Sequence, residues 1–74
     1  MTDLQKQVAA KLAFEPGDKV IILEIWLTVW KTMCKAGITD NDKYIKAREV
    51  FDQAYLEHGI KGPLATTALA AVGL

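Results

Sequence analysis

Between Val20 and Trp30 the chain reads VIILEIWLTVW, nine apolar residues interrupted only by Glu24 and Thr28. As a β-strand this run would place Ile21, Leu23, Ile25, Leu27 and Val29 on one face and set Glu24 and Thr28 among Val20, Ile22, Trp26 and Trp30 on the other. As a helix continuing to Lys35, Glu24, Thr28, Lys31 and Lys35 recur at i, i+4, i+7 and i+11 and gather on one narrow stripe, with Thr32 at its margin. The helical reading accounts for every charge in the segment, whereas a lone strand would leave its backbone edges unpaired. A helix over about residues 19–35 is therefore predicted. Its apolar arc covers about two-thirds of the circumference, against the ~100° or more of an ordinary surface helix. Such a helix needs contact from at least two sides, which makes it the central helix of the expected fold.

Shorter patterns flank it. Thr2 followed by Gln5 predicts a capping box, after which Leu4, Val8 and Leu12 recur every four residues and give a narrow apolar stripe on a first helix over about residues 3–14. Pro16-Gly17 predicts a turn in which glycine takes a positive φ, and Asp18 stands where it can cap the next helix. Ala36-Gly37 closes the central helix, with glycine in the left-handed C′ position. Thr39 or Asp40 caps a long amphipathic helix over about residues 40–58. Tyr44, Ala47, Val50, Phe51, Ala54, Tyr55 and His58 share one of its faces, and Lys46, Glu49, Asp52, Gln53 and Glu57 the other. Asp42–Lys46 and Arg48–Asp52 have supportive i, i+4 spacing. Gly59 ends this helix, with Ile60 folding back as in a Schellman motif. Ile45 and Leu56 stand eleven apart on the polar side, and an aligned apolar pair there points to a contact outside the helix. Pro63 opens a short alanine-rich helix over about residues 63–72, prone to fray as a terminal segment.

Composition sharpens this picture at three points. The chain has 74 residues, room for a single helical domain over 1–74 with a small core, yet 51% of them are hydrophobic, above the ~45–50% usual for soluble domains. That excess asks for burial beyond what four short helices provide. Nine basic residues balance nine acidic ones without a basic cluster, so the electrostatic footprint of a phosphate-binding or anionic-lipid surface is missing. The single cysteine, Cys34, precludes an intrachain disulfide, and the first residues have no continuous apolar leader segment. The expectation is a cytoplasmic protein.

Little in the chain supports chemistry. Cys34 and His58 are each alone in their class. A thiol near the end of an apolar helix lacks the setting that makes a thiolate, so Cys34 reads as packed and His58 as a helix C-terminal residue. One Cys and one His cannot make a structural zinc site. The stretch TDNDKYIKAREVF begins like a calcium loop at Asp40 and Asp42. It then places Ile45 where glycine is needed and Phe51 where the bidentate Glu belongs. No catalytic residue, cofactor or metal is assigned, and an enzymatic role would need a composite site across subunits. A membrane-surface helix is disfavoured because the polar stripe of residues 19–35 is thin and mixed in sign.

The sequence thus predicts an all-α fold of three to four helices, orthogonal or bundle-like, whose central helix is completed by a second copy of the chain. The function that fits is a non-catalytic protein–protein interaction module: an adaptor, assembly subunit or small inhibitor acting as a homodimer or higher homo-oligomer. Trp26, Trp30, Ile45 and Leu56 are its candidate contacts, although the tryptophan pair reads equally as internal core. A charge at Trp30 is accordingly expected to abolish fold and assembly together. The competing reading is a helix-turn-helix-like nucleic-acid-binding protein, in which KAGIT forms the turn and Lys43, Lys46 and Arg48 approach the duplex. Asp40 and Asp42 at the start of that helix oppose it.

Overall fold

The computed structural model describes residues 2–74 and consists of four helices: α1 (Asp3–Phe14), α2 (Asp18–Lys35), α3 (Asn41–His58) and α4 (Leu64–Ala70). Among the described residues there is no strand. The expected all-helical fold is thus the observed one. It is a small bundle in which α3 packs against α1 and α4, and α2 packs against α4.

Each helix starts and stops for an identifiable reason. At α1 the Thr2 hydroxyl accepts from the Gln5 backbone N–H at 3.2 Å, and the Gln5 side chain accepts from the Thr2 N–H at 3.0 Å. Two donors that a helix start leaves open are satisfied reciprocally. α2 ends in a Schellman arrangement, with Gly37 N–H donating to the Cys34 carbonyl and Ile38 N–H to the Met33 carbonyl, both at 3.1 Å, around Gly37 at φ 80°. Asp40 caps α3 by accepting from the Asp42 N–H at 2.9 Å. The end of α3 departs from expectation: Gly59 is itself the cap, at φ 71° and ψ −166°, and donates to the Tyr55 carbonyl. That conformation is accessible essentially to glycine alone. Leu74 N–H returns to the Leu69 carbonyl at 2.9 Å, so the end of α4 is tied back where fraying was expected.

Two expectations at the α1–α2 turn are corrected. Gly17 sits at φ −67°, so the turn makes no use of left-handed backbone. Asp18 makes no cap hydrogen bond at α2. Its carboxylate instead accepts from the Tyr55 hydroxyl at 2.9 Å, joining the start of α2 to the far end of α3.

The core comprises Val8 of α1, Ile22, Val29 and Met33 of α2, Ala47, Phe51, Ala54 and Tyr55 of α3, and Leu64 and Ala68 of α4. Trp26 packs edge-on to Phe51 at 5.4 Å between ring centroids. The innermost helix is therefore α3, which carries five buried residues against three in the more apolar α2. The reason lies in the size of the molecule. Its extents are 36 × 22 × 16 Å, and at interaxial distances of ~8–10 Å the shortest of these holds two layers of helices. Within two layers α3 has both α1 and α4 packed against it, whereas α2 packs chiefly on α4, so α2 is not enclosed by its own chain.

Candidate functional site

The helical wheel of α2 divides into two apolar sides. Ile22, Trp26, Val29 and Met33 point inward, with Ile22, Val29 and Met33 buried and Trp26 half-buried. Val20, Leu23, Leu27 and Trp30 point outward and are 65%, 56%, 42% and 46% exposed. Their spacing of three, four and three residues puts them on one contiguous stripe along three turns, and Cys34 extends it by another turn. Glu24, Thr28, Lys31 and Lys35 are all exposed and run along the stripe's edge. The two threonines near them are satisfied within the helix: the Thr28 hydroxyl donates to the Glu24 carbonyl and the Thr32 hydroxyl to the Thr28 carbonyl.

Four large apolar side chains in a row, each about half exposed, form the kind of patch that marks an interaction site, whereas scattered single ones do not. Here the predicted tryptophan pair splits. Trp26 belongs to the core side, and Trp30 belongs to the outward stripe. A groove beside Trp30 is lined by Trp26, Ile38, Thr39, Asn41 and Tyr44. At its floor the Tyr44 hydroxyl donates to the Ile38 carbonyl at 2.9 Å and lies 3.3 Å from the Cys34 sulfur. Hydrogen bonding to that thiol and partial burial raise the Tyr44 pKa above the ordinary phenol value. Cys34 was expected to be packed; it is exposed, at the end of the stripe.

The second predicted pair also divides. Ile45 is half exposed and, with Leu4, Tyr44, Arg48 and Asp52, lines a groove between α1 and α3. Leu56 is half-buried against the core. The contact that this aligned pair signalled is thus supplied at Leu56 within the chain.

Beneath the α1–α3 groove lies the one buried charge among the described residues, Asp52, which the sequence pattern places on the solvent face. Arg48 explains its position. The Arg48 Nε donates to the Asp52 carboxylate at 3.0 Å, and the guanidinium lies 5.0 Å from the Trp26 ring centre and 5.6 Å from that of Phe51. Burial raises the Asp52 pKa, while Arg48 pulls it back. The result is an ion pair between a buried carboxylate and an Arg48 side chain that stays 43% exposed while its guanidinium lies over the rings of Trp26 and Phe51. Arg48 is thereby engaged by its own chain while remaining partly open to solvent, and Lys43 and Lys46 are exposed beside the acidic start of α3. Of the predicted ion pairs on α3, Arg48–Asp52 forms, and Asp42–Lys46 is not among the ion pairs of the described residues.

His58, the last residue of α3, is exposed and lies 3.7 Å from the Glu57 carboxylate. It and Cys34 sit on different helices without forming a cluster. Among the described residues no three His, Cys, Asp or Glu side chains converge as a metal site would require, and no helix is long and apolar enough to cross a membrane. No family model matches the chain, and no similar curated protein or solved structure is found at a significant level.

Proposed function

We propose that the protein is a non-catalytic interaction module that works as a homo-oligomer, with the outward face of α2 as its association surface. The observation that carries this reading is the unbroken exposed stripe of Val20, Leu23, Leu27 and Trp30. Leaving such a stripe in water costs the hydrophobic free energy that covering it would recover. A second copy is the economical cover, because symmetric self-association needs no further gene product and two-fold dimers are the commonest closed assembly. The tying of Arg48 to Asp52 and Trp26 weighs against nucleic-acid binding, since it already engages the best phosphate ligand of the three basic candidates.

Trp30→Glu tests the reading. Because Trp30 faces outward, the variant is expected to keep its helical circular dichroism and cooperative melting while light scattering after size exclusion shows assembly lost. This revises the sequence-level expectation that fold and assembly fail together. An oligomer that survives the substitution unchanged would remove α2 as its surface.

A further inference from the structure

The outward positions of α2 also carry information about direction. Val20, Leu23, Leu27, Trp30 and Cys34 are spaced three, four, three and four residues apart, the seam spacing by which two helices interlock side chains over successive turns. One edge of this seam is formed by Glu24 and Lys31, each immediately after an outward residue and both exposed. The other is formed by exposed Lys19 and half-buried Trp26, with Met33 beyond them turned into the core. In a parallel pair the edge of one helix meets the opposite edge of its partner, so Glu24 of each copy would meet Lys19 of the other and Lys31 would lie against Trp26. Glu24 would then have a counter-charge, but both Lys31 ammonium groups would face apolar surface without one. In an antiparallel pair like edges meet, so the edge that carries Glu24 and Lys31 faces its own copy and all four of these charges can be paired.

Reversal also makes the charges complementary, since Glu24 of each copy comes opposite Lys31 of the other and the two-fold axis repeats the pair. The apolar register closest to this pairing sets Leu27 against the second copy's Trp30 and Leu23 against its Cys34. It leaves Glu24 and Lys31 offset by roughly 3 Å along the axis, within reach of both side chains. We propose, resting on the reading of α2 as the self-association surface, that two copies pair antiparallel through this seam about a two-fold axis near Thr28, oriented by two reciprocal Glu24–Lys31 ion pairs. In this arrangement the two Cys34 residues stand roughly 16 Å apart along the axis.

Sedimentation equilibrium of the full chain in low salt tests the proposal with Glu24→Lys, Lys31→Glu and the double variant, circular dichroism confirming that each is folded. Each single change sets like charges opposite one another twice, and the dimer dissociation constant is expected to rise at least about tenfold, less so in high salt. The double variant restores opposite charges and is expected to recover most of the loss. In parallel, mild oxidation of Leu23→Cys is expected to give covalent dimers through Cys34, while oxidation of the unaltered chain does not join Cys34 to Cys34. A dimer whose double variant shows no rescue, or whose Cys34 residues join readily, overturns the antiparallel seam and leaves the association surface standing. An unaltered chain that is monomeric overturns both. Binding only to a chemically different protein, through the same stripe, overturns the self-pairing.

Discussion

Replacing Tyr55 with Phe removes one oxygen from a fully buried side chain and, with it, the bond that ties α3 to the start of α2. The ring, its packing in the core and its contact with the Lys11 ammonium, 5.2 Å from the ring centre, are retained. What is lost is a hydrogen bond to a carboxylate, a class that contributes ~1.5–3 kcal/mol. Asp18 is half-exposed and regains water, so the lower end applies, about 1.5 kcal/mol. For a domain of this size, where 1 kcal/mol moves Tm by ~4–8 °C, the variant should melt roughly 6–12 °C lower.

The same bond predicts a pH signature. Burial and the neighbouring Asp18 push the Tyr55 pKa up to about 12, from the ordinary phenol value of 10.0. The unfolded chain therefore releases this proton first. The stabilisation is complete below pH 10 and is lost as pH rises through 10 toward 12. At 1.36 kcal/mol per unit, the two units set a ceiling of roughly 2.7 kcal/mol on that loss. Urea unfolding followed by circular dichroism at one fixed protein concentration, in steps from pH 8 to pH 12, measures both effects. The stability gap between the parent chain and Tyr55→Phe should be about 1.5 kcal/mol at pH 8 and should narrow across pH 10–12. Tyr44, present in both proteins, contributes equally and cancels. A gap below about 0.5 kcal/mol at pH 8, the scatter of ordinary surface changes, or one that is constant to pH 12, would refute the reasoning.

Asp52→Asn removes a buried charge while retaining an acceptor for Arg48. Because the folded state binds the Asp52 proton more tightly than the unfolded chain, the destabilising ionisation is absent below the ordinary value of 3.8 and sets in as pH rises through the raised value. Urea melts should show Asp52→Asn gaining on the parent chain between about pH 3 and pH 7; a gap independent of pH would contradict this. Asp52→Ala, which leaves Arg48 without its partner, should be the less stable of the two by about 1 kcal/mol in the same melts. Gly59→Ala forces a side chain into backbone that only glycine adopts readily and should cost ~1–3 kcal/mol by thermal melting. Gly17→Ala, at φ −67° with open space around the new methyl group, should lie within about 0.5 kcal/mol of the parent chain or above it. Equal costs at the two glycines would contradict the assignment of their conformations.

The local punctuation of the chain was legible because its causes are local. Thr2 and Gln5, Gly37, and Asp40 each act on backbone groups within a few residues, and each appears in its expected role. The helical choice for VIILEIWLTVW was legible for the same reason: Glu24, Thr28, Lys31 and Lys35 share one stripe only if the backbone is helical, and all four are exposed. Tertiary partners were not legible. Asp18 reads as a cap until Tyr55, 37 residues away, claims its carboxylate. Asp52 reads as a solvated partner of Arg48 until the packing of α1 on α3 and of the guanidinium on Trp26 shows why its burial is tolerable. The prominence of α2 misled in another way, because hydrophobic content measures how much surface a helix must hide and says nothing of which helix has neighbours on several sides. α3 occupies the inner position with Ala47 and Ala54 beside Phe51 and Tyr55, two of them small residues that let adjacent backbones approach closely. The division of α2 into an inward and an outward seam, which separates Trp30 from Trp26, becomes visible only once the inward side is fixed by its contacts.

Coverage of the outward face of α2 by another copy of the chain is the central requirement of the proposed assembly. Sedimentation equilibrium of the unaltered protein across the micromolar range measures that directly. A mass rising with concentration toward twice 8.2 kDa is the predicted result, whereas 8.2 kDa at every concentration, with a Tm independent of concentration, would contradict it.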